Sequence, residues 1–347
     1  MTVKGFLALE DGSVFHGESA GADGFAAAEA VFTTGMSGYQ EAVTDPSFAE
    51  QIVCFTAPMV GNYGVAGERS ESRRVHARAV VMREARGPAW TDWLTERGVV
   101  ALTGIDTRSL VLALRERGAM RAVAVAGDVT AEEAVAAARA QEPMAGRALA
   151  RDVSTRELRF VAEEGRARIA VVDYGVKNSV LRRLAAAGAA VTVVPHDVDA
   201  DTLAGFDGVL LSPGPGDPEP LAEEARVVGE LIGRTNVLGI CLGHQLLGVA
   251  TGHETFKLPF GHRGSNHPVL ECASGQVLVT SQNHGFAVRP KDEADATHVS
   301  LYDGTVEGLS FPAERARSLQ FHPEAGPGPH DAWPLLSRWV DEVASHA

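Results

Sequence analysis

The chain's most reactive-looking residue is Cys241, which ends the apolar run Asn236-Val-Leu-Gly-Ile240 and stands between Gly239 and Gly243. Small residues two positions to either side of a nucleophile permit a sharp strand-to-helix turn. Such a turn exposes the side chain, aims the next backbone N–H at a reacting carbonyl and sets the sulfur at a helix N-terminus, where a thiolate is favoured. A cysteine nucleophile needs a base, and Ser318-Leu-Gln-Phe-His322-Pro-Glu324 supplies one. A strand-like run ends in His322, Pro323 fixes the turn, and Glu324 can fold back to orient the imidazole, so Cys241, His322 and Glu324 make a triad. A lone cysteine is more often a core residue, but a core position does not require the flanking glycines.

A third segment, Ser212-Pro-Gly-Pro-Gly-Asp-Pro218, follows the apolar run Gly208–Leu211. It has no Gly-Lys-Ser/Thr ending, and Glu219 occupies the place of the third glycine in a dinucleotide fingerprint. Stiff prolines and bare glycines suit an oxyanion donor or an amino-acid contact instead. Neither His244, His253, His262 nor His267 has metal-ligand spacing, so no metal site is expected.

These residues must be carried by elements. Ile169–Val172, Val191–Val194 and Gly208–Leu211 are short apolar runs, and Asn178–Ala187 has helical spacing. Strand and helix alternate, which predicts a mostly parallel, doubly wound α/β sheet with its sites at the carboxyl ends of the strands. The first half is expected to be a mixed α/β domain. Glu10-Asp11-Gly12 reads as a hairpin turn, and Thr130-Ala-Glu-Glu133 reads as a capping box ahead of an alanine-rich helix. The texture changes near residue 150, giving expected domains at 1–152 and 168–347 with a charged linker at 153–167.

A length of 347 residues suits two domains, and the formal charge of −14 disfavours a nucleic-acid partner. No stretch approaches the roughly 20 apolar residues of a spanning helix. Met1–Glu10 lacks a basic start and a long apolar core, so neither a membrane nor a signal peptide is expected and the default compartment is the cytoplasm. Cys54, Cys241 and Cys272 form neither a disulfide framework nor a zinc ribbon.

Gly-Ile-Cys-Leu-Gly-His-Gln (239–245), Ser-Pro-Gly-Pro-Gly-Asp-Pro (212–218) and Phe-His-Pro-Glu (321–324) together resemble the class I, triad-type glutamine amidotransferase domain. Asp173-Tyr-Gly-Val-Lys-Asn178, Phe260–Pro268, Gln282-Asn-His-Gly-Phe286 and Pro323–Asp331 narrow the likeness to the small subunit of carbamoyl-phosphate synthetases. The first half agrees, in Thr34–Glu41, Thr44-Asp-Pro-Ser47, Gly61-Asn-Tyr-Gly64 and Gly104–Arg108, so the resemblance covers nearly the whole chain. It implies Cys241, His322 and Glu324 as the triad, and the backbone N–H groups of Gly214 and Leu242 as the oxyanion hole. Glutamine contacts are implied at Ser47, Gly214, Gly216, Leu242, Gln245, Asn283, Gly285 and Phe286. Because Ser47 belongs to the first domain, the site is expected where the domains meet. The resemblance further implies hydrolysis of L-glutamine, a large partner subunit in a heterodimer, and no cofactor in this chain, with ATP and Mg in the partner. Carbamoyl phosphate for arginine and pyrimidine synthesis would be the product. Three other readings share parts of this pattern: a glutaminase subunit of another amidotransferase, a cysteine peptidase or isomerase of the same sheet class, and a regulatory scaffold without catalysis.

Overall fold

A computed structural model describes residues 4–347; Met1–Val3, the start of the segment read for a signal peptide, lie outside the described residues. The chain forms two compact units, one running to Met144 and taking in Pro259–Arg263, the other made of Ala145–Leu258 and Gly264–Ala347.

The first unit is a closed seven-stranded barrel of β1 (Lys4–Leu9), β2 (Val14–Ser19), β3 (Gly24–Thr33), β4 (Gln51–Phe55), β5 (Ala79–Val81), β6 (Val100–Thr103) and β7 (Met120–Ala126), in the order β1-β2-β6-β5-β4-β3-β7. β1 and β2 pair antiparallel about Glu10–Ser13, as the turn signal predicts. Alternate strand residues point inward: Leu7, Leu9, Ala28, Ala30, Ile52, Cys54, Ala79, Val81, Ala122 and Ala124 fill one core. The alanines leave room for the bulkier Ile105, Leu110 and Leu114. Helices α1 (Tyr39–Thr44), α2 (Pro88–Glu96), α3 (Thr107–Arg117) and α4 (Ala131–Ala140) connect or cover the strands. α4 starts at the expected capping box, with both Thr130 and Glu133 bonds formed. The barrel closure itself is not visible in any local pattern of the sequence.

The second unit begins with α5 (Ala150–Val153) and β8 (Arg159–Ala162), and β8 pairs antiparallel with β10 (Ala190–Val194). The stretch expected as a linker thus supplies an edge strand. Residues just before it also belong to this unit: Gly146 N–H donates to Asp217 (2.8 Å), Asp217 N–H donates to Arg147 O (3.0 Å), and Ala150 is fully buried.

The central strands β9 (Arg168–Val172), β10, β11 (Gly208–Leu211) and β12 (Asn236–Ile240) are parallel, and β17 (Ala316–Leu319) joins β12 in parallel. Both faces are covered. Ile169, Val171, Leu210, Leu238 and Ile240 pack with α6 (Asn178–Ala186) and α10 (Trp333–His346). Ala170, Val172, Val209, Leu211 and Val237 pack under α7 (Ala200–Leu203), α8 (Ala222–Leu231) and α9 (Leu242–Ala250). Burial on both faces is why these strands read as continuous apolar runs.

Beyond β17 the sheet continues through β13 (Glu254–Glu271), β14 (Val277–Arg289), β15 (Ala296–Ser300) and β16 (Val306–Phe311), with antiparallel pairings to make ten strands in all. The parallel, doubly wound part is therefore the central five strands, with antiparallel extensions at both edges.

Candidate active site

Cys241 sits between β12 and α9 at φ 55°, ψ −105°. A positive φ at a non-glycine residue costs on the order of 1–3 kcal/mol and persists only when the surroundings enforce it. The enforcement is steric. A Cβ on Gly239 would lie 2.4 Å from Gly243 O, and one on Gly243 would lie 2.2 Å from Leu211 O. Neither position accepts a side chain, so β12 runs straight against the start of α9. Cys241 N–H donates to Leu319 O (2.8 Å), which ties the elbow to β17. Its sulfur lies 3.6 Å from Asn283 O.

The loop 212–218 is built against the elbow. Gly243 N–H donates to Ser212 O (3.2 Å), and the Ser212 hydroxyl accepts from Tyr174 N–H (2.9 Å) while donating to Pro213 O (2.8 Å). A Cβ on Gly214 would be 2.1 Å from Tyr174 O and 2.9 Å from a Leu242 methyl, so Gly214 and Leu242 are close neighbours. Leu242 is the first residue of α9, and its N–H is among those a helix leaves without an intrahelical partner. Gly216, at φ 94°, packs against Arg147 O. This loop is a wedged structure rather than a plain turn.

His322 follows β17 and is fixed by its N–H to Ser281 O (2.9 Å) on β14. Nδ1 lies 2.8 Å from Glu324 Oε1, and both side chains are buried. Lys177, a residue given no role by its sequence context, completes the cluster: its ammonium is 2.6 Å from Glu324 Oε1 and donates to Gly326 O at 3.2 Å. Burial and Lys177 push the His322 pKa down, but Glu324, with the Cys241 thiol beside the ring, overrides them and holds it well above the ordinary imidazole value. For Glu324, burial raises the pKa and is outweighed by Lys177 and His322, which hold it far below the usual carboxylate range. Nε2 of His322 makes no hydrogen bond of ordinary geometry and is left for the sulfur side. Trp333 Nε1 donates to Glu324 O (3.0 Å), anchoring the turn from behind. Lys177 stands just past the carboxyl end of β9, a position that marks a functional residue in this architecture only once its distant partner Glu324 is in place.

The remaining expected residues are placed as follows. Gln245, on the first turn of α9, is buried and donates from Nε2 to Phe286 O (2.9 Å) and Gln320 Oε1 (3.2 Å). Asn283, Gly285 and Phe286 lie on β14, two residues or more beyond the contact with His322. Ser47 lies in the first unit, in the short turn Pro46–Phe48; its N–H donates to Asp45 (2.8 Å), and its hydroxyl is buried with no hydrogen-bond partner among the described residues. His244 is wholly buried, bonded to the Ser318 hydroxyl (2.8 Å), and burial together with His253 and His298 pushes its pKa down to about 3. It is a structural, neutral histidine. Cys54 is enclosed in the barrel, where burial raises its thiol to about 12, and Cys272 is exposed.

Among the described residues no helix is long and apolar enough to cross a membrane. Residues 170–341 match the family described as glutamine amidotransferase class-I, and residues 7–124 match the carbamoyl-phosphate synthase small chain, CPSase domain. The chain is 44% identical to the carbamoyl phosphate synthase small chains of Xanthomonas campestris pv. campestris and Pseudomonas syringae pv. tomato, each match covering 99% of both chains. It is also 44% identical to that of Pseudomonas aeruginosa, again over 99% of both. The chain therefore belongs to the carbamoyl phosphate synthase small-chain family and is a glutamine-hydrolysing subunit of that synthase.

Proposed function

We propose that Cys241 is the nucleophile, His322 its base and Glu324 the group that orients and charges the histidine, with Lys177 holding Glu324. The observation that carries this reading is the strained, glycine-walled elbow of Cys241 set beside the buried Lys177–Glu324–His322 chain. In the reaction, His322 takes the thiol proton and the sulfur attacks the side-chain amide carbon of L-glutamine. The backbone N–H groups of Gly214 and Leu242 stabilise the oxyanion. The imidazolium gives its proton to the departing nitrogen and ammonia leaves. Water, deprotonated by the same imidazole, then hydrolyses the thioester to glutamate.

Glutamine is held, in this reading, by Ser47, Gly214, Gly216, Leu242, Gln245, Asn283, Gly285 and Phe286. The orphan hydroxyl of Ser47 and the side-chain-free walls at Gly214 and Gly216 support those three most directly. The partner is a large subunit that receives the ammonia and uses ATP, Mg and bicarbonate in the cytoplasm to make carbamoyl phosphate for arginine and pyrimidine synthesis.

The test is Cys241→Ser in the complex with the large subunit. Glutamine-dependent synthesis should fall by several orders of magnitude while synthesis from added ammonia continues. Near-normal use of glutamine by the variant would remove Cys241 from the mechanism.

A further inference from the structure

At one end of the second unit's sheet, β14, β13 and β15 stand side by side, and their residues alternate between a buried and an outer face. Val269, Leu278 and Ser300 point inward, the first two packing with Leu319, Phe321 and Leu335. The residues between them form the outer face. Glu271 N–H donates to Gln276 O (2.8 Å) and the Thr280 hydroxyl donates to His267 O (2.9 Å), which sets Leu270 beside Val277 and Pro268 beside Val279. β15 extends both rows, since Leu270 pairs with Val299 and Leu301 N–H donates to Pro268 O (3.0 Å). Val277, Leu270 and Val299 thus make one apolar row across three strands, and Val279, Pro268 and Leu301 make a second.

An antiparallel sheet that turns one face to water carries polar residues on that face. These two rows carry none. Val277, Val279, Leu301 and the adjoining Tyr302 are 47%, 39%, 50% and 58% exposed. Single exposed apolar side chains need no account, but a contiguous patch built from two rows marks a surface that meets a partner.

Two observations select the partner. The first is continuity with the cysteine–histidine site. Two residues along β14 from Val279, Ser281 O accepts His322 N–H (2.9 Å) and the Ser281 hydroxyl donates to Pro327 O (2.8 Å), while Val279 N–H itself donates to Asp331 (3.0 Å). The patch therefore abuts the segment that carries His322 and Glu324. Ammonia released into neutral water is protonated and loses its nucleophilicity, so a protein that uses it has to seat close to where it leaves. The second observation is charge. Asp303 and Asp331, both exposed, flank the rows, and no lysine or arginine stands among them. A second copy of this face would bring like charge against like, whereas an occupant with an apolar centre and a basic margin matches it.

We infer that this outer face of β13, β14 and β15 is the docking surface for the large chain of the synthase. The inference rests on the reading above, in which that chain receives the ammonia.

The test measures the affinity of the full chain for purified large chain by biolayer interferometry. Val277→Asp and Leu301→Asp each put a carboxylate into an apolar row, and each should weaken binding about tenfold or more, because the charge would be buried without a partner at the centre of the contact. Phe160→Asp, on the exposed strand β8 at the opposite end of the sheet, should leave the affinity unchanged. Glutamate release by each variant alone should equal that of the native chain, which shows that the variants are folded and that a lost affinity belongs to the surface. Unaltered affinity in both Val277→Asp and Leu301→Asp, with the native chain binding, would overturn the surface and leave the ammonia-receiving partner in place. A native chain that sediments as a dimer, and as a monomer in Val277→Asp, would give the face to a second copy and overturn the proposal. Absence of binding by the native chain would overturn the partner reading and the proposal together.

Discussion

Cys241 and His322 are held by different physics. Cys241 is placed by backbone sterics: two glycines without room for a methyl, a positive φ and a helix start. Side-chain charge plays little part in fixing it. His322 is placed by buried charge, with Lys177, Glu324 and His322 joined at 2.6 and 2.8 Å where water does not screen them. The contrast separates two ways to fail. Steric placement breaks with any added atom and is indifferent to pH, whereas electrostatic placement tolerates shape changes and responds to charge.

The largest effect is expected at the elbow. Gly243→Ala places a methyl 2.2 Å from Leu211 O, so the start of α9 must move. A shift of this kind in a reacting group costs about 10²-fold in rate. Glutaminase activity should fall by that order and stay low at every pH between 6 and 9. Recovery of activity at some pH would show that the elbow is not set by sterics.

The charge chain predicts the next largest effect. Removing one member of a buried ion pair costs about 3–5 kcal/mol, because the survivor is left buried and uncompensated. Lys177→Met should therefore lower the unfolding midpoint markedly, and so should Glu324→Gln, which strands the lysine. The double variant should be more stable than the sum of the single losses allows. Strict additivity in a double-mutant cycle would show that the two residues do not depend on each other.

Lys177 also opposes protonation of His322, so its loss should raise the histidine's pKa further. The basic limb of the pH profile, where the imidazolium that protonates the departing nitrogen is lost, should then move to higher pH in Lys177→Met and to lower pH in Glu324→Gln. Parallel shifts, or none, would break the electrostatic half of the comparison.

The smallest effect is on stability against pH. A histidine whose folded pKa is raised adds stability that is fully present below its unfolded value near 6.5 and is lost as pH rises through the folded value. For Glu324, whose folded pKa is lowered, the contribution is present above about 4.5 and is lost as pH falls. His322→Asn should therefore be destabilising at pH 6 and progressively less so toward pH 10, as measured by urea midpoints. A constant difference over that range would deny the raised pKa.

The same contrast explains what could be read from the sequence. Gly239-Ile-Cys241-Leu-Gly243 is legible because steric demands act between near neighbours and leave their mark as residue types. The runs at 169–172 and 208–211 are legible because burial on both faces removes polar residues from them. Lys177 was not legible as a site residue, since its partner lies far along the chain and a lysine after a strand is ordinary. β13 and β14 carry His262, Arg263, His267, Gln282, Asn283 and His284 among apolar positions, which hides their strand character. Closure of the first unit's barrel depends on β1 meeting β7, a pairing no local pattern announces.

The central claim is that Cys241 forms a covalent bond to the glutamyl group. The complex should be mixed with glutamine, quenched in acid within the first turnovers, and digested for peptide mass spectrometry. The account predicts one glutamyl group on the peptide carrying Cys241, present in the native chain and absent in Cys241→Ser. Glutamyl label on another residue, or full turnover with Cys241 unmodified at every quench time, would contradict it.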